Sequence, residues 1–258
     1  MLLAVDIGNT HITTGLFDST GKVLLSFRIA SNEKITEDEF FSYLKNISDF
    51  NEIEIKKLNG IIISSVVPNL ITIFQFLGRK YFQIEPTIVD LNLNIPFTFA
   101  ENLQVTGFGA DRIIDITQAI LDFPNKNLVI FDLGTATTYE VLENGIYIGG
   151  GILPGIEMSI NALFGNTAKL PKVKFSTPES VLGRNTAEQI QAGIFYGYAG
   201  QLIHIIQEIK KIVKDPYVIA TGGLGKILFA QINEIDEYCP ELSLKGLFSL
   251  YQINKKNS

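Results

Sequence analysis

The chain has 258 residues, of which 46% are apolar and 19% charged, a composition typical of a globular protein with a sizeable core. Its formal net charge of −6 argues against a nucleic-acid-binding protein, because phosphate backbones require clustered cations. The single cysteine, Cys239, excludes an internal disulfide, and the two histidines, His11 and His204, form no zinc-ligand cluster. Neither histidine is accompanied by a G-x-S-x-G motif, which argues against a Ser–His–Asp hydrolase.

The beginning of the chain does not resemble a signal peptide, because it has no basic segment and reaches an acid at Asp6. The longest uncharged run, residues 58–78, is interrupted by several polar residues and by Pro68. We therefore expect a buried strand, a turn at Pro68–Asn69 and the start of a helix there, and no membrane span. These features predict a cytoplasmic protein.

Short β-rich runs alternate with segments of helical period along the chain. The predicted strands are Leu2–Val5, Lys22–Phe27, Ile61–Val67, Leu128–Phe131 and Tyr217–Ala220. The predicted helices are Glu37–Leu44, Arg112–Leu121 and Ala187–Val213. This interleaving predicts an α/β fold whose helices cover a largely buried sheet.

Two segments resemble each other, Leu2–Thr10 and Leu128–Thr135. Each is an apolar strand that ends in Asp-x-Gly and is followed by hydroxyl residues and a second strand. We interpret this as a duplication that produces two equivalent α/β domains facing each other across a cleft, at residues 1–120 and 121–258. The last helix can pack back on the first domain. The alternative is coincidence, since Asp-Gly turns are common between strands.

The first of these turns has the features of a phosphate-binding loop. Gly8 lets the backbone approach a ligand closely, and successive N–H groups with the hydroxyls of Thr10 and Thr13 can bind phosphate oxygens. Asp6 is placed to hold a hydrated Mg²⁺. Residues 222–227 lack the spacing and final Ser/Thr of a P-loop, and no dinucleotide fingerprint is complete. The sequence therefore favours a nucleotide site of another type.

The second turn, from Asp132 to Thr138, offers hydroxyls for the far side of a triphosphate and a carboxylate that requires a neighbouring cation. Alternatively, Asp132 is a turn cap. Farther on, the paired glycines of Thr221-Gly-Gly223 allow an adenine ring to lie against bare backbone, although a simple strand-to-helix turn explains them almost as well.

Two helix starts carry further candidates. Asp111 is either a helix cap or the acceptor of a hydroxyl proton, with Arg112 beside it binding an anionic group of the substrate. Thr186 is expected to form a capping box with Gln189, or its neighbouring N–H groups bind a carboxylate or phosphate. Three glycines on the long helix that follows suit either a subunit interface or a tight contact within the chain. They are Gly193, Gly197 and Gly200.

A set of motifs occurs in a fixed order between residue 2 and about residue 225. They are Asp6-Ile-Gly-Asn-Thr10, Gly109-Ala-Asp-Arg112, Asp132-Leu-Gly-Thr-Ala-Thr137, Gly149-Gly-Gly-Ile-Leu-Pro-Gly155, Leu170-Pro171, Gly183-Arg-Asn-Thr186 and Ala220-Thr-Gly-Gly223. This ordered set resembles that of the type III pantothenate kinases. The resemblance implies two ribonuclease-H-like domains of the actin/hexokinase/heat-shock ATPase superfamily, assembled as a homodimer. It also implies transfer of the γ-phosphoryl group of ATP to pantothenate, the first step towards coenzyme A.

The resemblance further assigns roles to residues of this chain. Asp111 would be the proton acceptor, and Asp132 would hold K⁺ or NH₄⁺. Mg²⁺ is expected with the nucleotide, with Asp6 as a candidate ligand. ATP would be bound by Asp6, Ile7, Gly8, Asn9, Thr10, His11, Ile12, Thr13 and Thr135. Pantothenate would be bound by Gly109, Ala110, Asp111, Arg112 and Thr186.

One position departs from the family pattern. The family commonly places a substrate-contacting Tyr nine residues before the catalytic Asp, and this chain has Asn102 there, with Phe99 nearby. Two other functions stay open at this stage: another ATPase or sugar kinase of the same superfamily, and a non-catalytic regulatory relative. The short chain and the Gly-x-Asp-Arg segment argue against the former, and the acids Asp6 and Asp111 argue against the latter.

Overall fold

The computed structural model describes residues 1–165 and 170–255, and these fall into two compact units. The first unit comprises Met1–Phe97, Gln104–Asp122 and the described residues from Glu241 onwards. The second unit comprises Thr98–Leu103 and the described residues of Phe123–Pro240.

The described residues form eleven strands and seven α-helices. The strands are β1 (Leu2–Ile7), β2 (His11–Phe17), β3 (Val23–Ala30), β4 (Gly60–Ser65), β5 (Thr87–Ile88), β6 (Thr98–Phe99), β7 (Leu128–Leu133), β8 (Ala136–Glu143), β9 (Ile146–Pro154), β10 (Tyr217–Thr221) and β11 (Glu237–Tyr238). The helices are α1 (Glu37–Phe50), α2 (Pro68–Leu77), α3 (Ala110–Asp122), α4 (Ile156–Gly165), α5 (Thr186–Ile209), α6 (Gly225–Phe229) and α7 (Leu242–Lys255).

The sheet of the first unit has the strand order β3-β2-β1-β4-β5, with β1 antiparallel to β2 and parallel to β4. Side chains of β1 alternate between two buried faces. Leu3, Val5 and Ile7 belong to the core formed with α1 and α2. Leu2 and Ala4 belong to the core formed with α3 and α7. Asp6 continues the row of Leu2 and Ala4, so the alternation directs it to the face that α3 and α7 cover.

Helices α3 and α7 pack closely against each other, and both contact β1 or β4. A Cβ at Gly246 of α7 would lie 2.1 Å from the carbonyl oxygen of Ile114 on α3, so only glycine allows this approach. The tight contact fixes α3, and therefore the residues at its beginning, over the sheet.

The sheet of the second unit has the strand order β11-β10-β7-β8-β9-β6. Here β7 is antiparallel to β8 and parallel to β10, as β1 is to β2 and β4. Apart from the additional edge strand β6, the two sheets therefore share one strand order. One core of this unit lies between the sheet and the helices α4, α5 and α6. The repeated topology supports the duplication predicted from the two Asp-x-Gly segments.

The predicted strands and helices are all present, with shifted ends. Strands β1 and β7 extend two residues farther than predicted, through their Asp residues. Helix α5 ends at Ile209, before the predicted Val213. The predicted turn at Pro68–Asn69 is wrong, because α2 begins at Pro68 itself. The backbone N–H of the first helical residue has no partner within the helix, so proline, which lacks this N–H, is favoured there. Within residues 1–165 and 170–255, no helix is both long and apolar enough to cross a membrane.

Candidate functional site

The carboxylate of Asp6 lies near the end of β1 between two hydroxyl residues. Asp6 is in register with Thr13 on β2 and with Ser64 on β4. Its withdrawal from water raises the pKa from 3.8 to about 7; the Ser64 hydroxyl opposes this rise and the Asp111 carboxylate adds to it. A cation bound beside this carboxylate would lower its pKa and favour the ionised form, so Asp6 is suited to binding a cation.

The turn that follows Asp6 is short and closed. The N–H of Gly8 donates to the carbonyl of His11 at 2.9 Å, and the N–H of Ser31 donates to the carbonyl of Thr10 at 2.8 Å. The three residues at the tip are exposed: Asn9, Thr10 and His11. By contrast, the side chains of Ile7 and Ile12 are fully buried in the core, so these two residues can present only backbone atoms to a ligand.

Asp111 lies in the first turn of α3, on the helix that covers the Asp6 face. One carboxylate oxygen, Oδ1, accepts a hydrogen bond of 2.8 Å from the backbone N–H of Arg112. A Cβ at Gly109 would stand 2.3 Å from this oxygen, so the glycine leaves the space that the carboxylate occupies. Burial raises the pKa of Asp111, while the Arg112 N–H and the Arg112 charge lower it. The structure thus brings the predicted Asp6 and Asp111 close enough for their charges to interact.

Arg112 is placed beside Asp111 and over an aromatic ring. Its guanidinium carbon lies 4.1 Å from the centroid of the Phe108 ring. Ala110, between Gly109 and Asp111, is buried. Side-chain contact with a ligand in this segment therefore comes from Asp111 and Arg112.

In the second unit, Asp132 occupies the strand position equivalent to that of Asp6. It is in register with Thr138 on β8 and with Thr221 on β10. Gly222 adopts a φ of +88°, and a Cβ there would lie 2.7 Å from Asp132 Oδ1 and 2.6 Å from the carbonyl oxygen of Leu133. The backbone of Gly222 therefore packs directly against both oxygens, a contact that only glycine allows.

The turn after Asp132 is anchored on both sides. Thr135 is exposed at its tip, and a Cβ at Gly155 would come within 2.0 Å of the Thr135 carbonyl oxygen, so this backbone packs directly against the turn. On the other side, the buried hydroxyls of Thr137 and Tyr198 are hydrogen-bonded to each other. Tyr198 belongs to α5, which therefore holds the turn against the helical layer.

The donor atoms fit the expected cations in different ways. Asp132 offers a carboxylate at a turn that also carries hydroxyl and carbonyl oxygens, and oxygen donors of this kind are compatible with a hard cation. No group of three or more Asp, Glu, His or Cys in residues 1–165 and 170–255 could hold a metal. Mg²⁺ commonly needs only one or two carboxylates when phosphates and waters complete its shell, so Asp6 is compatible with it.

Thr186 begins α5, but the predicted capping box of Thr186 with Gln189 is wrong. The cap is Asn185, whose Oδ1 accepts from the N–H of Glu188 at 3.0 Å. The Glu188 carboxylate in turn accepts from Asn185 Nδ2 and from the N–H of Arg184. The amide of Asn satisfies the helix N–H as well as a hydroxyl would, which shifts the cap by one residue. The exposed Thr186 hydroxyl takes no part in the cap.

Sequence reasoning missed two residues of the site. Ser64 ends the apolar strand β4, and only the parallel pairing of β4 with β1 places it beside Asp6. Phe108 stands next to the Gly-Ala-Asp-Arg motif, and its contact with Arg112 follows from the chain turning at Gly107, where φ is +79°. At the departure from the family pattern, Asn102 is exposed and Phe99 packs edge-to-face on Tyr147.

Comparisons with known proteins place nearly the whole chain beside one family. Residues 2–208 match the profile of the family described as type III pantothenate kinase. The type III pantothenate kinase of Fusobacterium nucleatum is 64% identical over 256 residues, covering 99% of this chain and 100% of that protein. The type III pantothenate kinase of Bacillus cytotoxicus is 39% identical over 260 residues, covering 98% of this chain and 97% of that protein.

Solved structures show the fold. The activator of the 2-hydroxyisocaproyl-CoA dehydratase from Clostridium difficile, with bound ADPNP, has a TM-score of 0.58 and 12% identity, covering 99% of this chain and 95% of that chain. The predicted α/β fold is confirmed by this likeness and by the two sheets of equivalent strand order. With a family profile matched over most of its length and a relative at 64% identity, the chain belongs to the type III pantothenate kinases.

Proposed function

We propose that this protein transfers the γ-phosphoryl group of ATP to the terminal hydroxyl of pantothenate, giving 4'-phosphopantothenate and ADP. The observation that carries the proposal is the pairing of Asp6, at a phosphate-loop turn, with Asp111, at the beginning of a helix fixed over the same sheet face. A phosphate loop beside a second carboxylate that can accept the hydroxyl proton is suited to phosphoryl transfer to an alcohol. We place this reaction in the cytoplasm, where ATP is available.

The nucleotide side of the reaction is assigned to the two Asp-x-Gly turns. We assign Asp6 to Thr13 to the phosphates, through the exposed tip residues and the backbone N–H groups of the turn. Thr135, exposed at the equivalent turn of the second unit, is assigned to ATP as well. Backbone N–H groups after a strand suit anionic oxygens because their dipoles converge without the cost of ordering long side chains.

The acceptor side is assigned to the segment Gly109–Arg112 and to Thr186. Asp111 Oδ1 is occupied by the N–H of Arg112, so the other oxygen of the carboxylate takes the proton of the pantothenate hydroxyl. As that O–H bond breaks, the oxygen forms its bond to the γ-phosphorus and the bond to the β-phosphate oxygen breaks, releasing ADP. The raised pKa of Asp111 makes it a better base than an exposed Asp.

Two cations complete the proposed site. Mg²⁺, held through Asp6 and the phosphates, would neutralise the charge of the triphosphate when bound. Asp132 would hold K⁺ or NH₄⁺ at the turn against which the backbone of Gly222 packs. The hydroxyl residues in register with each Asp, Thr13 and Thr138 among them, keep each carboxylate in place through the strand pairing.

We also propose that the protein acts as a homodimer through exposed residues of its second unit. Several large apolar side chains are exposed there, among them Leu182 at 77% and Ile152 at 71%. Helix α5 also carries three glycines that are spaced at three or four residues, Gly193, Gly197 and Gly200. A Cβ on any of them would meet nothing within 4 Å among the described residues, which leaves room for a second copy of the chain. Light scattering after gel filtration should give twice the 28.6 kDa mass of the chain.

A coupled assay of ADP release tests the proposed reaction. In K⁺ buffer with Mg²⁺ and ATP, ADP release should depend on added pantothenate. ADP release that is equal without pantothenate would indicate a different ATPase of this superfamily. No release under either condition would support the regulatory alternative and contradict the kinase.

A further inference from the structure

Phe108 and Arg112 form a contact that the proposed reaction does not yet use. The two residues lie on either side of Gly109–Asp111, and the guanidinium carbon of Arg112 is 4.1 Å from the centroid of the Phe108 ring. At this distance the positive group lies over the negative face of the ring, which attracts it. The contact connects the loop before α3 with the first turn of the helix.

The ring is itself held in place. Phe108 is partly buried and packs against the core formed by α3, α7 and β1. Its N–H donates to the carbonyl of Val105 at 3.1 Å, across a turn in which Gly107 has a positive φ of +79°. A long arginine side chain that lies on a fixed ring loses much of its rotational freedom before any ligand binds.

The chemistry of Arg112 indicates which group of the acceptor it would bind. A guanidinium carries five N–H donors in a planar fork, a pattern that matches the two oxygens of a carboxylate. The backbone N–H of Arg112 meanwhile holds the carboxylate of Asp111. Pantothenate carries a hydroxyl, which the base requires, and a carboxylate, which an arginine can recognise.

We propose that Phe108 is a positioning residue that fixes Arg112 for the carboxylate of the acceptor. Through Arg112, it determines the preference of the enzyme for pantothenate over the neutral amides of pantothenate. This inference rests on the proposed function, because it assumes that pantothenate is the acceptor.

The test compares Phe108→Leu with the wild type on two acceptors, pantothenate and its N-alkyl amide, which lacks the carboxylate. The KM for pantothenate should rise about 3- to 10-fold while kcat and the KM for ATP change less than about twofold, as expected for the loss of one cation–π contact. The kcat and KM for the amide should stay unchanged. The selectivity ratio, which is kcat/KM for pantothenate divided by kcat/KM for the amide, should therefore fall by the same factor. Phe108→Tyr, which keeps a ring, should restore the ratio.

Two controls separate positioning from general damage to the fold. Phe76→Leu removes an exposed ring from α2 of the same unit and should leave the selectivity ratio unchanged. In an Arg112→Ala background, Phe108→Leu should have no further effect on the ratio, because the group that it positions is gone.

An unchanged ratio in Phe108→Leu, with normal wild-type turnover, overturns this inference and leaves the proposed function intact. Equal losses with both acceptors would show a structural role and also overturn it. A wild-type protein that releases no ADP with pantothenate overturns the proposed function, and this inference with it.

Discussion

Replacing Asp6 by Asn should stabilise the folded protein at neutral pH although it removes a residue of the proposed site. Burial raises the pKa of Asp6 from 3.8 to about 7, with opposition from Ser64 and a further contribution from Asp111. In the unfolded chain the group regains its ordinary pKa. Because the folded state holds this proton more tightly, the free energy of unfolding falls as the pH rises from about 4 to about 7, and stays level above that.

The size of the effect follows from the two pKa values. Ionising a group whose pKa is raised from 3.8 to about 7 costs the folded state up to about 4 kcal/mol at pH 8. At pH 5, where the folded group stays protonated, the corresponding cost is only about 1.5 kcal/mol. Asn is neutral at every pH and of similar size. Asp6→Asn should therefore raise the free energy of unfolding by these amounts, with the gain vanishing below pH 4.

Urea unfolding of the ligand-free protein at pH 5, 6, 7 and 8, followed by circular dichroism, measures the gain directly. Glu33→Gln is a matched control, because it makes the same kind of change at an exposed carboxylate of the same unit. A gain that is equal at pH 5 and pH 8, or a variant less stable than the wild type at pH 8, would contradict the inference that Asp6 is a strained, withdrawn carboxylate.

Three further changes address the chemistry. Asp111→Asn should lower turnover about 10²- to 10⁴-fold with the KM for ATP little changed, and near-normal turnover in the ADP assay would disprove its role as proton acceptor. The rate should be several-fold higher in K⁺ or NH₄⁺ than in Na⁺, and equal rates in Na⁺ would count against the cation site. Gly222→Ala should reduce this activation, because the added Cβ would lie only 2.7 Å from Asp132 Oδ1 and displace the carboxylate. Arg112→Ala should raise the KM for pantothenate about 10- to 100-fold, as for loss of a charged hydrogen bond, and leave the KM for ATP unchanged; the opposite pattern would assign Arg112 to the nucleotide.

The central strands could be predicted from the sequence because they are continuous apolar runs with polar ends. The register of β1 with β2 is determined locally, since a three-residue turn leaves one way to place Asp6 opposite Thr13. The same argument holds for Asp132 and Thr138 on the hairpin of the second unit. Both turns were therefore predictable, together with the hydroxyls that accompany them.

The neighbours that come from distant parts of the chain were not predictable in this way. Ser64 reaches Asp6 through a parallel pairing that closes over fifty residues later, and no local pattern specifies its register. The capping of α5 failed for another reason: Asn185 and Thr186 are both good caps, and only the backbone conformation of Asn185, extended at φ −139°, decides between them.

The two units use one scaffold for different tasks. In both, the Asp at the end of the first strand is in register with a hydroxyl residue on each neighbouring strand. The units differ on the next strand outward. In the first unit Thr13 is in register with Arg28 on β3, whereas in the second unit Thr138 is in register with Ile152 on β9. The acid proposed to accept the proton comes from α3, outside the repeated hairpin. Duplication thus accounts for the two Asp-x-Gly turns that we assign to ATP, whereas the proposed acceptor chemistry depends on a helix that the close contact at Gly246 holds in place.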